Sequence, residues 1–383
     1  MSVTAPQGFR AAGVAAGLKS SGAPDVALVV NDGPQDSAAA VFTTNRFPAA
    51  PVQWSRQVLA TGRLRAVVLN SGGANACTGA EGFGDTHATA EHAAAELGLG
   101  AVDVAVASTG LIGVRLPMDK LLPGVTEAAK ALAADGGPDA ARAIMTTDSV
   151  PKTTVVQRDG WSVGGMAKGA GMLAPSLATM LVVLTTDASV PAGVLHAALA
   201  SATGVSLERV DSDGCLSTND TVVAMANGAA GVTPTAEEVA EALTEAATDL
   251  AMQLLADAEG STKDIAVTVR NAATVGDALT AGRACARNNL LKTALFGNDP
   301  NWGRVLAAIG TTDAAFEPDR VDVTINGVTV CRGGAIGDPR EGVDLTGRAV
   351  TIDVDLAAGT EQATIWTNDL SLAYVHENSA YST

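Results

Sequence analysis

Cysteine, histidine and basic side chains are all scarce in this chain of 383 residues. Its four cysteines (Cys77, Cys215, Cys285 and Cys331) are far apart and form no C-x-x-C pair, which fits a reducing cytosol better than a disulfide framework. Four histidines, with no H-x-x-x-H spacing and no Cys/His cluster, point to no zinc site. Only 24 Lys and Arg stand against 41 Asp and Glu, and the formal charge of −17 argues against a nucleic-acid or anionic-membrane partner. A small charged metabolite stays compatible, because a local pocket need not share the sign of the whole surface. No stretch approaches the roughly 18 clean apolar residues of a membrane span, and residues 1–25 lack an apolar core of signal-peptide length. These absences predict a soluble cytoplasmic protein, with the sequon at Asn219 carrying no glycan. The phosphate-loop, dinucleotide-binding, nucleophile-elbow and H-E-x-x-H motifs are also missing. "DSDG" at 211–214 lacks the later ligands of a calcium loop and reads as a polar turn.

Apolar residues make up 47% of the chain, enough for a sizeable core, and the length suits two or three domains or one large fold with an appendage. Short β-rich runs lie at 25–30, 38–44, 65–70 and 102–108, with helical patterns at 85–97 and 118–134. Asp159 and Gly160 mark a hairpin turn within 153–165. The run at 178–187 is apolar without alternation, which predicts a strand covered on both faces. Helices follow at 191–203 and 236–258, then a strand at 264–270 and a helical stretch at 274–296 broken near Asn288 and Asn289. An Asn-Gly hairpin at 320–331 and strands at 348–355 and 362–367 predict a smaller β-rich lobe over about 311–383.

One segment stands out by composition and placement: "GGMAKGAGMLAPSLATMLVVL" at 164–184 leads from flexible glycines to Ala178 and Thr179 at the start of the most buried-looking strand. It reads as a loop entering a core strand, or as a threonine nucleophile hidden behind its own peptide bond. A free α-amine on that threonine can serve as its base, and exists only if the chain is cut before Thr179. Such an amine titrates at about 7.7–8.0, so a useful fraction is neutral near pH 7.

"KGAGMLAPSLATML" at 168–181 resembles the cleavage and nucleophile motif of the ornithine acetyltransferase, or glutamate N-acetyltransferase, family. The resemblance continues through "VVLNSGGANACTG" (67–79), "STGLIG" (108–113), "MTTDSVPK" (145–152), "DSDGCLSTNDT" (211–221), "DAEGSTK" (257–263), "ARNNLLKTALFGNDPNWGR" (286–304) and "YVHENSAYST" (374–383). It is of the actinomycete type. It implies an α/β fold, a layered sandwich like that of N-terminal-nucleophile hydrolases, with a smaller C-terminal α+β lobe. Thr179 matches the nucleophile and the bond between Ala178 and Thr179 matches the self-cleavage site, so an α chain of residues 1–178 and a β chain of 179–383 are expected, with about 179–310 completing the sandwich. Thr109 and Gly110 match the oxyanion-hole pair, the alternative being a plain strand-to-turn joint. Thr146 or Thr147 matches a substrate contact, Thr146 being favoured. Lys168 matches a substrate-binding lysine suited to an α-carboxylate, against the alternative of a solvated loop lysine. Glu259 matches a carboxylate for an amino group of ornithine, against that of a surface glutamate ending a helix. Asn378 and Thr383 match binding residues of a tail that folds back over the site.

The resemblance implies acetyl transfer from N2-acetyl-L-ornithine to L-glutamate in cyclic arginine biosynthesis, by double displacement through an acetyl ester on Thr179. Some members of the family also take acetyl from acetyl-CoA, and both donors stay open. No metal or organic cofactor is implied, and the two pieces are expected to assemble as α2β2 or larger. The alternatives are a self-cleaving amidohydrolase or aminopeptidase of the same fold, and a non-enzymatic amino-acid-binding protein. Among other residues, His87 and His92 read as surface or packing groups on a helix and Cys77 as a loop thiol with no base beside it. Trp302 reads as packing a helix start, Arg304 as an ion-pair partner, and His376 as a tail residue near Asn378.

Overall fold

The computed structural model describes residues 2–174 and 180–380. The first half runs β1 (Phe9–Val14), β2 (Val26–Asn31), β3 (Ser37–Phe42), α1 (Ala50–Leu59), β4 (Ala66–Ser71), α2 (Gly79–Leu97), β5 (Val104–Thr109), α3 (Met118–Lys130), α4 (Gly137–Ala143), β6 (Lys152–Arg158) and β7 (Trp161–Lys168). It continues through β8 (Leu181–Thr186), α5 (Ala192–Val205), β9 (Thr221–Ala226) and α6 (Ala236–Ala256). The remainder is β10 (Asp264–Ala272), α7 (Val275–Ala286), α8 (Asn289–Phe296), α9 (Trp302–Ile309), β11 (Asp322–Ile325), β12 (Val328–Arg332), β13 (Ala335–Ile336), β14 (Ala349–Asp355), β15 (Glu361–Asn368) and α10 (Leu372–Ala380).

Two sheets stack face to face. The first has the order β1-β2-β4-β5 and the second β3-β9-β8-β7-β6. Met166, Leu181, Val183, Val223 and Met225 of the second sheet share one apolar core with the strands of the first. The opposite face of the second sheet, through Val163, Val182, Leu184, Val222 and Ala224, packs on α5 and α6. Helices α2 and α3 cover the first sheet through Ala90, Ala94, Leu121 and Val125. Neighbouring residues of β8 thus serve opposite cores, which is why that strand shows no polar alternation, as its sequence predicts. Helix α6 is held at its start by reciprocal bonds: Glu238 N–H donates to Thr235 Oγ1 at 3.2 Å and Thr235 N–H to Glu238 Oε2 at 2.7 Å. The layered α/β sandwich is the expected fold.

The third sheet, ordered β13-β12-β11-β14-β10-β15, packs on α7, α8 and α9 around a core running from Ile265 to Ala363. Strand β10, which precedes the expected lobe boundary near 311, lies in this same sheet between β14 and β15. The break near Asn288 is present, Asn288 Oδ1 accepting Leu291 N–H at 2.9 Å to start α8. Three helices escape the sequence pattern, α1, α4 and α10. Helix α2 begins at Gly79, six residues before the expected start, because Phe83 is seated against Trp54 with ring centroids 6.3 Å apart and packing overrides the poor propensity of its glycines. Helix α3 stops at Lys130, short of 134, because Ala133 turns back to pair with Ala11, each N–H reaching the other's carbonyl at 3.0 Å. Among the described residues no helix is long and apolar enough to cross a membrane.

Leu250 of α6 is fully buried and presses into the space over Gly165, where a Cβ would lie 3.2 Å from its Cδ1. Leu250→Ala is expected to lose about 2–5 kcal/mol of stability. The measurement is a lowered urea midpoint with an unchanged slope.

Candidate active site

Strand ends from both sheets of the sandwich meet at one cleft of about 90 Å³. Six of the expected residues line it: Thr109, Gly110, Thr146, Lys168, Glu259 and Asn378. Thr147 lines it beside Thr146, and Ile112, Gly171 and Met172 complete the wall. Ala178, Thr179 and Thr383 lie outside the described residues. A larger, open cleft of about 650 Å³ near Arg46, Phe47 and Cys77 is lined mainly by exposed residues, so we assign the chemistry to the smaller one.

Thr109 closes β5 and is buried. Its carbonyl accepts the N–H groups of Gly72 and Gly73, both at 3.0 Å, so the loop after β4 holds the end of β5. Gly110 sits at φ +131, and a Cβ there would lie 2.5 Å from the Gly73 nitrogen; only glycine fits. Lys168 ends β7, is 2% exposed, and donates through Nζ to Thr109 Oγ1 at 3.2 Å. A hydroxyl that accepts from an ammonium keeps its own hydrogen to give elsewhere.

A lysine this deeply buried needs compensation. Asp148 supplies part of it, as Lys152 Nζ donates to its Oδ1 at 2.6 Å, Gly169 N–H to the same oxygen at 2.7 Å, and Thr146 N–H to Oδ2 at 2.9 Å. Lys152, fully buried, also reaches Asp257 at 2.6 Å. Burial lowers the Lys168 pKa; Asp148, Asp220 and Glu259 oppose that, while Lys152 adds to it. Burial alone would raise Asp148, but Lys168, Lys152 and the Gly169 N–H hold it down at about 2.

Glu259 is buried, not a surface residue ending a helix: its N–H donates to Ala170 O at 2.9 Å. Its carboxylate lies against Gly171, where a Cβ would come within 2.7 Å of Oε2, so the glycine-rich approach admits this acid. The tail folds as α10, with Asn378 Nδ2 donating to Tyr374 O at 3.0 Å and its side of the helix reaching the cleft. Burial, then Asp213 and Glu259, push the Tyr374 hydroxyl to about 12, so it stays protonated beside them.

Sequence reasoning missed Asp148, Lys152 and Asp257 as members of the site. The signal was present in "MTTDSVPK", where an acid and a lysine four apart flank the start of β6, but burial of both cannot be read from spacing. His87 packs on Trp54 with rings 5.0 Å apart and His92 Nε2 lies 2.8 Å from Thr126 Oγ1, both packing roles as expected. Trp302 begins α9, also as expected. Arg304 differs from expectation, its guanidinium donating to the Leu290 carbonyl over the first turn of α8. Among the described residues no group of His, Cys, Asp or Glu side chains is placed to hold a metal ion.

The depressed Asp148 pKa carries a pH dependence. A carboxyl that falls from 3.8 to about 2 on folding stabilises the protein above pH 3.8, and that stability is lost as pH falls through about 2. Asp148→Asn is expected to cost about 3–5 kcal/mol near neutral pH, because two buried lysines lose their shared partner. Its stability is also expected to fall less steeply than that of the unaltered protein between pH 4 and 2, as measured by urea midpoints across that range.

The ArgJ family model matches residues 10–383. The arginine biosynthesis bifunctional protein ArgJ of Streptomyces coelicolor is 66% identical over 382 residues, covering 100% of both chains. That of Thermobifida fusca is 63% identical over 383 residues, again with 100% of both covered. Among solved structures, ornithine acetyltransferase complexed with ornithine from Mycobacterium tuberculosis is 62% identical over 47% of this chain and 96% of that one, with a TM-score of 0.45. With its cleft and terminal helix inside the matched region, this chain belongs to the ArgJ family.

Proposed function

We propose that the cleft transfers an acetyl group from N2-acetyl-L-ornithine to L-glutamate, giving L-ornithine and N-acetyl-L-glutamate. As a member of the ArgJ family the chain is an acyltransferase of arginine biosynthesis. The observation that carries the site assignment is convergence: Thr109, Gly110, Thr146, Lys168, Glu259 and Asn378 come from separate segments of the chain and line one cleft. Thr179 is the nucleophile in this reading, freed by cleavage after Ala178, with its own α-amine as base.

The hydroxyl oxygen of Thr179 attacks the acetyl carbonyl, its proton passing to the α-amine. Thr109 and Gly110 stabilise the oxyanion, and the Lys168 ammonium polarises the Thr109 hydroxyl that donates to it. Lys168 also offers its charge to the substrate carboxylate, Glu259 receives an amino group of ornithine, and Thr146, Asn378 and Thr383 complete the binding set. Ornithine departs with the returned proton, leaving an acetyl ester that the amine of glutamate then takes. The bifunctional character in the relatives' name fits acetyl-CoA as a second donor to the same ester. The two pieces stay joined, because β7, before the cut, pairs with β8, after it, from Lys168↔Leu181 to Val163↔Thr186. Assembly as α2β2 or larger is part of this proposal.

Thr179→Ala is expected to remain one chain of 383 residues on a denaturing gel and to transfer no acetyl; two fragments from that variant would refute the assignment. Mixed with acetylornithine alone, the protein is expected to release at most one equivalent of ornithine per site and little acetate. Steady turnover should require glutamate, whereas a hydrolase would release acetate with or without it.

A further inference from the structure

Strand β5 lies at the edge of the first sheet, so every second residue turns its backbone N–H and C=O away from β4. Buried as they are, those groups need other partners, and side chains supply them. Trp54 Nε1 donates to Val104 O at 3.0 Å, while Ser55 Oγ donates to Val106 O at 2.7 Å and accepts the Val106 N–H at 2.9 Å. Both of these residues belong to α1. The next carbonyl in the row, Ser108 O, is served from the second sheet: Asn219, just before β9, donates to it through Nδ2 at 2.8 Å.

Asn219 is 3% exposed and belongs to the 211–221 motif, which supplies no wall residue to the cleft. Its Nδ2 also donates to Ala74 O at 2.6 Å, and its Oδ1 accepts the Thr218 hydroxyl at 2.7 Å. Two carbonyls on one side thus fix which end of the amide is the nitrogen. Its backbone N–H donates to Ser217 Oγ at 3.1 Å and its carbonyl accepts from Thr221 Oγ1 at 3.0 Å, so every polar group of Asn219 is used inside the protein. The two carbonyls it holds bracket the turn at Thr109 and Gly110. Ser108 is the residue before that turn. Ala74 belongs to the loop after β4, which closes on the turn from the other side: Gly72 and Gly73 N–H donate to Thr109 O at 3.0 Å, and Ala74 N–H to Leu111 O at 3.1 Å. Asn70 joins the same parts, accepting the Ser108 hydroxyl at 2.6 Å and donating to Gly73 O at 3.0 Å. Lys168 fixes the Thr109 side chain, whereas Asn219 fixes the backbone from which the donors of the turn project.

We propose that Asn219 is a positioning residue for the acetyl transfer: by holding Ser108 O and Ala74 O together it sets the turn at Thr109 and Gly110 that stabilises the oxyanion. This rests on the oxyanion role given to that pair above. An oxyanion forms twice in the double displacement, once on the acetyl group of acetylornithine and once on the acetyl ester when the amine of glutamate attacks it. Donors held in place serve both events, and a displacement of about 1 Å costs on the order of 100-fold in rate.

The test is Asn219→Ala, assayed beside Ser55→Ala, which removes the same kind of bond from the same strand edge at Val106. Both variants are expected to be cut into two fragments and to show lowered urea midpoints. Asn219→Ala alone is expected to lose rate: kcat falls about 100-fold, while KM for acetylornithine and KM for glutamate each stay within about threefold. Its kcat/KM falls by the same factor for both substrates, since each half-reaction passes through the same oxyanion site, and Ser55→Ala keeps the kcat of the unaltered protein. An unchanged kcat in Asn219→Ala, a loss confined to one substrate, or an equal loss in Ser55→Ala overturns the inference. So does a folded Asn219→Ala that stays uncut, because the tie then serves cutting and not transfer. If Asn219→Ala does not fold, Asn219→Ser is measured in its place against the same outcomes; failure of both to fold makes Asn219 purely structural and also overturns it. Full kcat in Thr109→Val, or no acetyl transfer by the unaltered protein, would instead sink the reading on which the inference rests.

Discussion

Burying Lys168 at the end of β7 is the constraint around which the site is built. An ammonium 2% exposed survives only with compensating charge, and the chain supplies Asp148 from the segment before β6, with Glu259 and Asp220 contributing at longer range. Lys152 then ties Asp148 to Asp257, just after α6. One buried cation thus fixes the relative positions of β5, β6, β7 and the C-terminal end of α6. That is also what makes Lys168 useful: stripped of water, it acts on the Thr109 hydroxyl without competition from solvent.

The sandwich gives this cluster its rigidity. Thr109 and Lys168 each stand at the end of a strand whose body is locked in a dry core, so this part of the cleft inherits its geometry from packing. Thr109 ends a strand of the first sheet and Lys168 one of the second, so their hydrogen bond bridges the two sheets at these strand ends. In the cleft wall, Gly110 and Gly171 mark places where backbone or carboxylate comes too close for any side chain.

The sequence was most legible where local pattern and tertiary role agree. The Asp159 and Gly160 turn, the capped break at Asn288 and the apolar run of β8 are each dictated by neighbours in the chain. It was least legible where packing overrides propensity, as in the glycine-rich start of α2, and where a sheet takes a strand from before the compositional border of the lobe, as it does β10. For the site, the motifs identified Thr109, Gly110, Thr146, Lys168, Glu259 and Asn378, which line one cleft. The charges that keep Lys168 tolerable were not visible, because an i, i+4 acid and lysine look the same on a solvated surface as in a core. Thr146 and Thr147 both face the cleft, which explains why register alone could not separate them.

The second sheet takes β3, β6 and β7 from one side of residues 175–179 and β8 and β9 from the other. In the cleavage proposed above, the two pieces would be born already interlocked. They would need no encounter, no matching of expression levels and no mutual recognition surface that a stranger could occupy. Their one-to-one stoichiometry would be set by a single message, and neither piece could be exchanged without dismantling the sheet that both build.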